Sequence, residues 1–241
     1  MEAIQQEVME HTLKIGAILH EAPNVKTFRM HLPAHFPMNF FPGQFYMVRF
    51  PDDKMHRAYS IASSPTDIGF LDITLDKVGV FTTRLFEAKV GDELVFKGPY
   101  GKFYFSDAMK NDLVLIGGGL GITPLRSILR YCKDKHLKNK INLIYSVKAP
   151  HEIVYLKELE SYKNQMHQYH FLPTVTRLQD GMQWPGRIGR VDEIMLKENV
   201  FKINQDLFFM CGPLSFVKSV REMLYAMGVM KEQIKTDIWG E

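Results

Sequence analysis

Cysteine is scarce in this chain, with only Cys132 and Cys211 among 241 residues. No CxxC pair occurs, so the sequence cannot by itself build a zinc knuckle or a cysteine-held iron–sulfur cluster. A disulfide framework is not expected either, and a reducing compartment suits such sparing use. Long hydrophobic runs are missing too: Leu113–Ile116 and Leu207–Cys211 fall far short of a membrane span. The opening MEAIQQEVMEHTLKIG carries acids and no apolar centre, so a signal peptide is not expected. Charge of one sign is lacking as well. A net +3 is too small to argue for nucleic acid or membrane attraction. Metal-ligand spacing is also absent. His31 and His35 are separated by Pro33, which breaks a helical pair, and His167 and His170 have no carboxylate motif around them. No GxSxG elbow appears. These absences leave a soluble cytoplasmic protein without a metal site, and they set hydrolase chemistry aside.

What is present divides into two halves. Hydrophobic residues at 46% and charged residues at 24% suffice for ordinary cores. The first hundred or so residues alternate in short β-branched or aromatic segments: Thr12–Leu19, Thr27–Leu32, Gln44–Phe50, Arg57–Ala62, Leu71–Asp76 and Glu93–Gly98. Turn pairs such as Pro42-Gly43 and Gly91-Asp92 separate them, which predicts a six-stranded antiparallel barrel with one helix over Thr82–Ala88. After Phe105 the pattern changes to strands alternating with helices. Strands are predicted at 112–116, 141–147, His170–Val175, 206–212 and 234–239, and helices at 124–135, 153–164 and 214–228. That order implies a parallel sheet covered on both faces. The division is expected near residues 106–111, giving domains 1–107 and 108–241.

Two regions carry candidate chemistry. The run DLVLI-GGGLGITP-LRSIL sets three glycines at the end of an apolar strand. Glycine permits close backbone approach, Thr123 is expected to cap the next helix, and Pro124 suits its first turn. A helix start there favours an anionic phosphate. Neither the G-x-G-x-x-G spacing nor a Walker loop fits, and a plain strand-to-helix turn without a ligand stays open at this point. In the barrel half, Arg57-Ala58-Tyr59-Ser60 lies on a strand whose alternation puts Arg57 and Tyr59 on one face. A guanidinium can clamp a pyrophosphate and a phenol can lie against a flat ring, but the tetrapeptide alone reads better as an ordinary surface Arg and core Tyr. Thr82 or Thr83 is expected to cap the single helix of that half, leaving amides for a second phosphate contact. Three anion-receptive elements in two halves ask for a dinucleotide-like ligand in each.

In this order, HRAYSIAS, GVFTTRLFEAKVGDELVFKGPYGKF, LIGGGLGITPLRSIL, FFMCGPLSFVKSVREML and IKTDIW, the segments resemble the ferredoxin–NAD(P) reductase superfamily across residues 12–239. The resemblance implies an N-terminal six-stranded Greek-key β-barrel that binds a flavin, FAD in preference to FMN. It implies a C-terminal α/β parallel-sheet domain for the nicotinamide nucleotide. Carried over by position, Arg57, Ala58, Tyr59 and Ser60 hold the flavin, with Ser60 near ring N5. Ile73, Thr74 and Leu75 line the ribityl and ring side, and Val80, Phe81 and Thr82 the pyrophosphate. Gly118, Gly119 and Thr123 face the nucleotide, and Cys211-Gly212-Pro213 brings its thiol near the nicotinamide. Trp239 covers the flavin face, and Asp237 stands where many relatives carry Glu. The catalytic set implied is Ser60, Cys211 and Asp237. Lys148 and Arg177 lean the nucleotide toward NADPH, with NADH the alternative. Only Gly240 and Glu241 follow Trp239, as expected of a stand-alone reductase or separate reductase subunit. The implied activity moves electrons between NAD(P)H and a one-electron carrier such as ferredoxin or flavodoxin, from a monomer. A free-flavin or quinone reductase and an electron-transfer subunit of a larger complex are the alternatives.

Overall fold

The computed structural model describes residues 6–238, and Trp239 therefore lies outside the described residues. By packing, the chain separates into two compact units. The first comprises the chain through Ser106 together with Arg126–Asp134, and the second comprises Asp107–Leu125 with the remainder.

In the first unit, β1 (Met9–Ala22), β2 (Val25–His31), β3 (Phe45–Arg49), β4 (Arg57–Ser60), β5 (Phe70–Asp76) and β6 (Glu93–Tyr100) form one sheet. Its order is β4-β3-β6-β1-β2-β5 and all pairings are antiparallel. Alternation fixes the register. Phe28, Met30, Tyr46, Val48, Ile73 and Phe96 point inward and form the core. The expected six-stranded Greek-key barrel is what the chain builds. Its helix α1 (Gly79–Glu87) begins three residues before the predicted start, so neither Thr82 nor Thr83 is the cap. Thr82 instead accepts the Val78 N–H at 2.6 Å and donates to the Val78 carbonyl.

The second unit holds β7 (Leu113–Gly118), β8 (Ile141–Val147), β9 (Tyr169–Val175), β10 (Arg187–Ile188), β11 (Leu207–Gly212) and β12 (Ile234–Ile238), all parallel, in the order β10-β9-β8-β7-β11-β12. Every residue of β7 and β8 is buried, which explains their predominantly apolar character. Helices α2 (Ile122–Asp134), α3 (Leu156–Ser161), α4 (Glu193–Asn199) and α5 (Leu214–Ala226) complete the α/β pattern. One predicted helix differs, and two short elements are additional. The helix expected over 153–164 is α-helical only at α3, because Tyr155 adopts a left-handed conformation, φ 62°, and 3-10 turns flank it. The short α4, capped by Asp192 Oδ1 accepting from Met195 N–H at 2.8 Å, and the two-residue β10 were not expected.

Candidate functional site

In the antiparallel unit the interesting strands are the outer two. β4 and β5 end the sheet on opposite sides, and they touch through one bridge, Ile61–Ile73, and the Ala62 N–H to Asp72 carbonyl bond of 2.8 Å. Apart from this, Arg57–Ser60 and Thr74–Asp76 keep a backbone edge with no strand paired to it among the described residues. Register pairs Arg57 with Val48 and Tyr59 with Tyr46, both inward positions, and Ser60 with Phe45 on the other face. Arg57 is exposed, bonds only the His56 carbonyl at 3.2 Å, and has no carboxylate partner among the described residues. Its guanidinium is therefore free to clamp an anion. Tyr59 is half-buried, its ring stacked on Phe81 at 5.8 Å and 28°, and burial pushes its phenol far above the usual range, so it stays neutral. The Ser60 hydroxyl has no partner among the described residues.

Beside these edges α1 begins at Gly79, φ +73°, where an added Cβ would meet nothing within 4 Å. Val78 supplies no side-chain cap, so the first amides of α1 are left for another acceptor. Val80 is 89% exposed. An uncapped helix start, a free guanidinium and two open strand edges fit a flavin carrying an anionic phosphate chain. Other expected contacts are more restricted. Ile73, Thr74 and Leu75 are all buried, and Thr74 shares a 2.7 Å hydrogen bond with Thr27, so these three have only backbone to offer a ligand. Phe81 lies behind Tyr59 and Phe50, 5.1 Å from the latter, and acts as a prop.

The loop joining β4 to β5 is anchored by the part of α2 that belongs to this unit. Arg126 donates to the Ala62 carbonyl at 3.0 Å, Ser127 to the Ser63 carbonyl at 2.6 Å, and Arg130 to Asp67 at 2.6 Å. Buried Asp72 receives Arg29 through two bonds of 2.8 and 2.9 Å, with Arg126 at 3.4 Å. The sequence motifs gave no sign of this anchor, because its partners lie more than forty residues apart.

In the parallel unit, topology locates the crevice. The chain starts at β7 in the sheet's middle, moves outward through β8, β9 and β10, then returns to the other side with β11 and β12. The switch point lies between the carboxyl ends of β7 and β11, where open α/β sheets bind ligands. Gly118, Gly119, Cys211, Gly212 and Pro213 stand there. Gly119 takes φ +55° with open space around it. Gly121, which the motif reading passed over, is the tightest residue of the turn: a Cβ would lie 2.0 Å from the Cys211 carbonyl oxygen. Thr123 is not the helix cap. A 3-10 turn over Gly119–Gly121 leads into α2, and Thr123 is buried inside the helix, donating to the Leu120 carbonyl at 2.6 Å. Backbone, not the threonine, is what this turn presents.

Cys211 is fully buried and its Sγ lies 4.0 Å from Asp237 Oδ2 on the neighbouring strand, where burial raises the carboxyl above its ordinary range. Farther along, Lys148 and Arg177 follow β8 and β9, both exposed, with the Arg177 N–H donating to the Lys148 carbonyl at 2.8 Å. Neither has a carboxylate partner among the described residues. A bare-backbone crevice with two free cations beside it fits a phosphorylated nucleotide.

Comparison with known proteins bears on both halves. Residues 13–105 match the oxidoreductase FAD-binding domain and residues 115–222 the oxidoreductase NAD-binding domain. The chain belongs to the ferredoxin–NAD(P) reductase superfamily. Within that superfamily it is 34% identical over 199 residues to the sulfhydrogenase 1 gamma subunit of Pyrococcus furiosus, covering 81% of this chain and 66% of that one. It is 29% identical over 226 residues to the glycine betaine monooxygenase reductase subunit of Chromohalobacter salexigens, covering 90% and 61%. The chain thus spans less than two thirds of the length of both relatives. A ferredoxin NADP+ reductase from Neisseria gonorrhoeae, solved with FAD and NADP, shares the fold at TM-score 0.80 and 24% identity, covering 97% of this chain and 99% of that one. Among the described residues no helix is long and apolar enough to cross a membrane.

Proposed function

We propose that this reductase-superfamily protein takes hydride from NAD(P)H onto bound FAD and releases electrons singly to a separate carrier such as ferredoxin or flavodoxin. The observation that carries the reading is the pairing of two differently built anion-receptive sites in one chain. One has a free guanidinium beside an uncapped helix, and the other a glycine-lined crevice at a sheet's switch point. The flavin, when bound, supplies the exchange between two-electron and one-electron chemistry. This chain's residues bind and orient. Arg57 and the first amides of α1 hold the phosphate chain, Tyr59 packs against the ring system, and Ser60 holds a proton-exchanging hydrogen bond near ring N5. Cys211, with Asp237 behind its thiol, borders the nicotinamide. The working domains are 1–107 and 108–241. Lys148 and Arg177 favour NADPH, because their paired cations would meet a 2′-phosphate. We assign the protein to the cytoplasm as a monomer.

The likeness to a hydrogenase gamma subunit supports a second reading, an electron-transfer subunit of a larger complex. Both readings are tested by anaerobic titration of the purified protein with NADH and NADPH separately, followed by turnover with a small ferredoxin, free riboflavin and a quinone. A yellow chromophore bleached by nucleotide, with ferredoxin the best acceptor, is expected. A colourless protein that takes up neither FAD nor FMN would end the proposal. Bleaching with poor turnover on every free acceptor favours the subunit, and preference for riboflavin or quinone makes it a flavin or quinone reductase.

A further inference from the structure

Arg126 and Ser127 carried no expectation from the motifs, although both lie in the segment LIGGGLGITPLRSIL. By packing they belong to the first unit, and both are buried, Arg126 at 5% exposure and Ser127 at 0%. Their acceptors are consecutive carbonyls of the chain leaving β4. Ala62 takes the Arg126 Nη1–H at 3.0 Å, and Ser63 takes the Ser127 hydroxyl at 2.6 Å. Other polar groups of the same two residues face β5. The Ala62 N–H donates to the Asp72 carbonyl at 2.8 Å, and Ser63 Oγ accepts the Asp72 N–H at 3.0 Å. Because β4 and β5 are the end strands of their sheet, these bonds and the Ile61–Ile73 bridge hold its two ends together. The Asp72 carboxylate, gripped by Arg29 through two bonds, lies 3.4 Å from Arg126 Nη1 and fixes that guanidinium in turn.

Stability alone is a weak reason for such a latch. A buried guanidinium and carboxylate lose their hydration, and such pairs often stabilise no more than hydrophobic residues of the same volume. What the hydrogen bonds add is direction, since each fixes where one carbonyl points. The carbonyls so fixed begin two residues beyond Ser60 and three beyond Tyr59, a span of at most about 11 Å of extended chain. We propose that Arg126 and Ser127 are positioning residues for the flavin. By holding the Ala62 and Ser63 carbonyls they set the angle at which β4 presents Tyr59 and Ser60 to the ring system. This rests on the reading of β4 as the flavin strand. Both residues act through that backbone.

The test uses the full chain, stripped of flavin and reloaded, with Ser127→Ala and Arg126→Met beside the parent. Equilibrium dialysis of the stripped protein gives FAD affinity, and visible circular dichroism of the loaded protein reports the surroundings of the ring. The control is calorimetric binding of the oxidised dinucleotide, NADP+ or NAD+, whichever the parent holds more tightly, because α2 also follows the glycine turn. Each variant should bind FAD about 3- to 10-fold more weakly, the range of one lost hydrogen bond, and should change the shape of the visible dichroism. Dinucleotide affinity should stay within about twofold of the parent. A purely structural role lowers the urea midpoint and moves neither flavin readout. FAD affinity within about twofold of the parent together with an unchanged dichroism, or equal weakening of FAD and dinucleotide, would overturn the assignment. Should Arg126→Met not fold, Ser127→Ala decides alone. A parent that takes up no FAD refutes the flavin reading itself, a result distinct from a parent that loads normally while its variants match it.

Discussion

In the antiparallel unit the groups left free at the candidate site are side chains and strand edges: the Arg57 guanidinium, the Tyr59 ring, and the unpaired edges of β4 and β5. In the parallel unit it is the backbone of the turn after β7, where Gly119 has open space around it while Gly121 lets the Cys211 carbonyl pass close. The difference follows from how each sheet is buried. An antiparallel strand shows alternate residues to two environments, and an outer strand can display a charge at no cost to the core. A central parallel strand is covered on both faces, as all seven residues of β8 are, and only its carboxyl end reaches a ligand. On the proposed reading the first unit recognises by charge and the second by shape. Removing charges should injure the first, and adding methyl groups should injure the second.

The largest effect is expected where charge is buried. Asp72→Ala leaves Arg29 and the buried Arg126 without their shared carboxylate, and should cost about 3–5 kcal/mol in urea unfolding. A cost below about 1 kcal/mol would remove the buried anchor from the comparison. Next, Gly121→Ala drives a methyl into the Cys211 carbonyl and should cost about 2–3 kcal/mol, with nucleotide binding lost and the flavin retained. Gly119→Ala is the control. It has open space and pays only the left-handed backbone, about 1–2 kcal/mol. If the two alanines behave alike, close approach is not what the turn needs.

Arg57→Ala should weaken FAD about 10- to 100-fold by equilibrium dialysis while leaving nucleotide affinity unchanged, the size of a lost charge-assisted hydrogen bond. Equal loss of both ligands would dissolve the assignment of charge to the first unit. A smaller effect belongs to Arg177→Ala, which should lower the ratio of NADPH to NADH specificity constants about 5- to 10-fold and leave the NADH constant alone. This is the one place where the second unit is expected to use charge, and an unchanged ratio would make its recognition wholly one of shape.

The smallest effect concerns pH. Burial raises the Asp237 carboxyl, so the folded protein keeps that proton at pH values where the unfolded chain has lost it. Stability contributed by this group is present below the ordinary carboxylate range and falls as pH rises toward the folded value. Asp237→Asn removes that fall and should gain on the parent as pH rises through the window, then hold its lead. Parallel urea curves for the two proteins across stepped pH would contradict it.

Much of the architecture was legible in the chain. Alternation in the first half and mostly apolar runs in the second give the two sheets, and RAYS with the three-glycine turn marks both candidate sites. Helix boundaries were less legible. A threonine near a helix start reads as a cap, yet Thr82 and Thr123 lie inside their helices and bond backward to Val78 and Leu120. Serine and threonine make those local bonds in either place, so their type does not fix the end of a helix. Asp192, by contrast, does cap α4 and offered a signal that the short helix behind it made easy to pass over.

The order of polar and apolar residues by itself determined an antiparallel unit followed by a parallel one, because side-chain period and burial on one face or two are local consequences of composition. Tertiary structure alone decided which glycines matter and which helix steadies the β4–β5 loop. Gly121 is indispensable because Cys211 passes 2.0 Å from where its Cβ would be, and Asp72 is paired because Arg29 and Arg126 arrive from distant positions. Close approach between segments far apart in the chain leaves no periodic trace, so it becomes visible only once the strands are side by side.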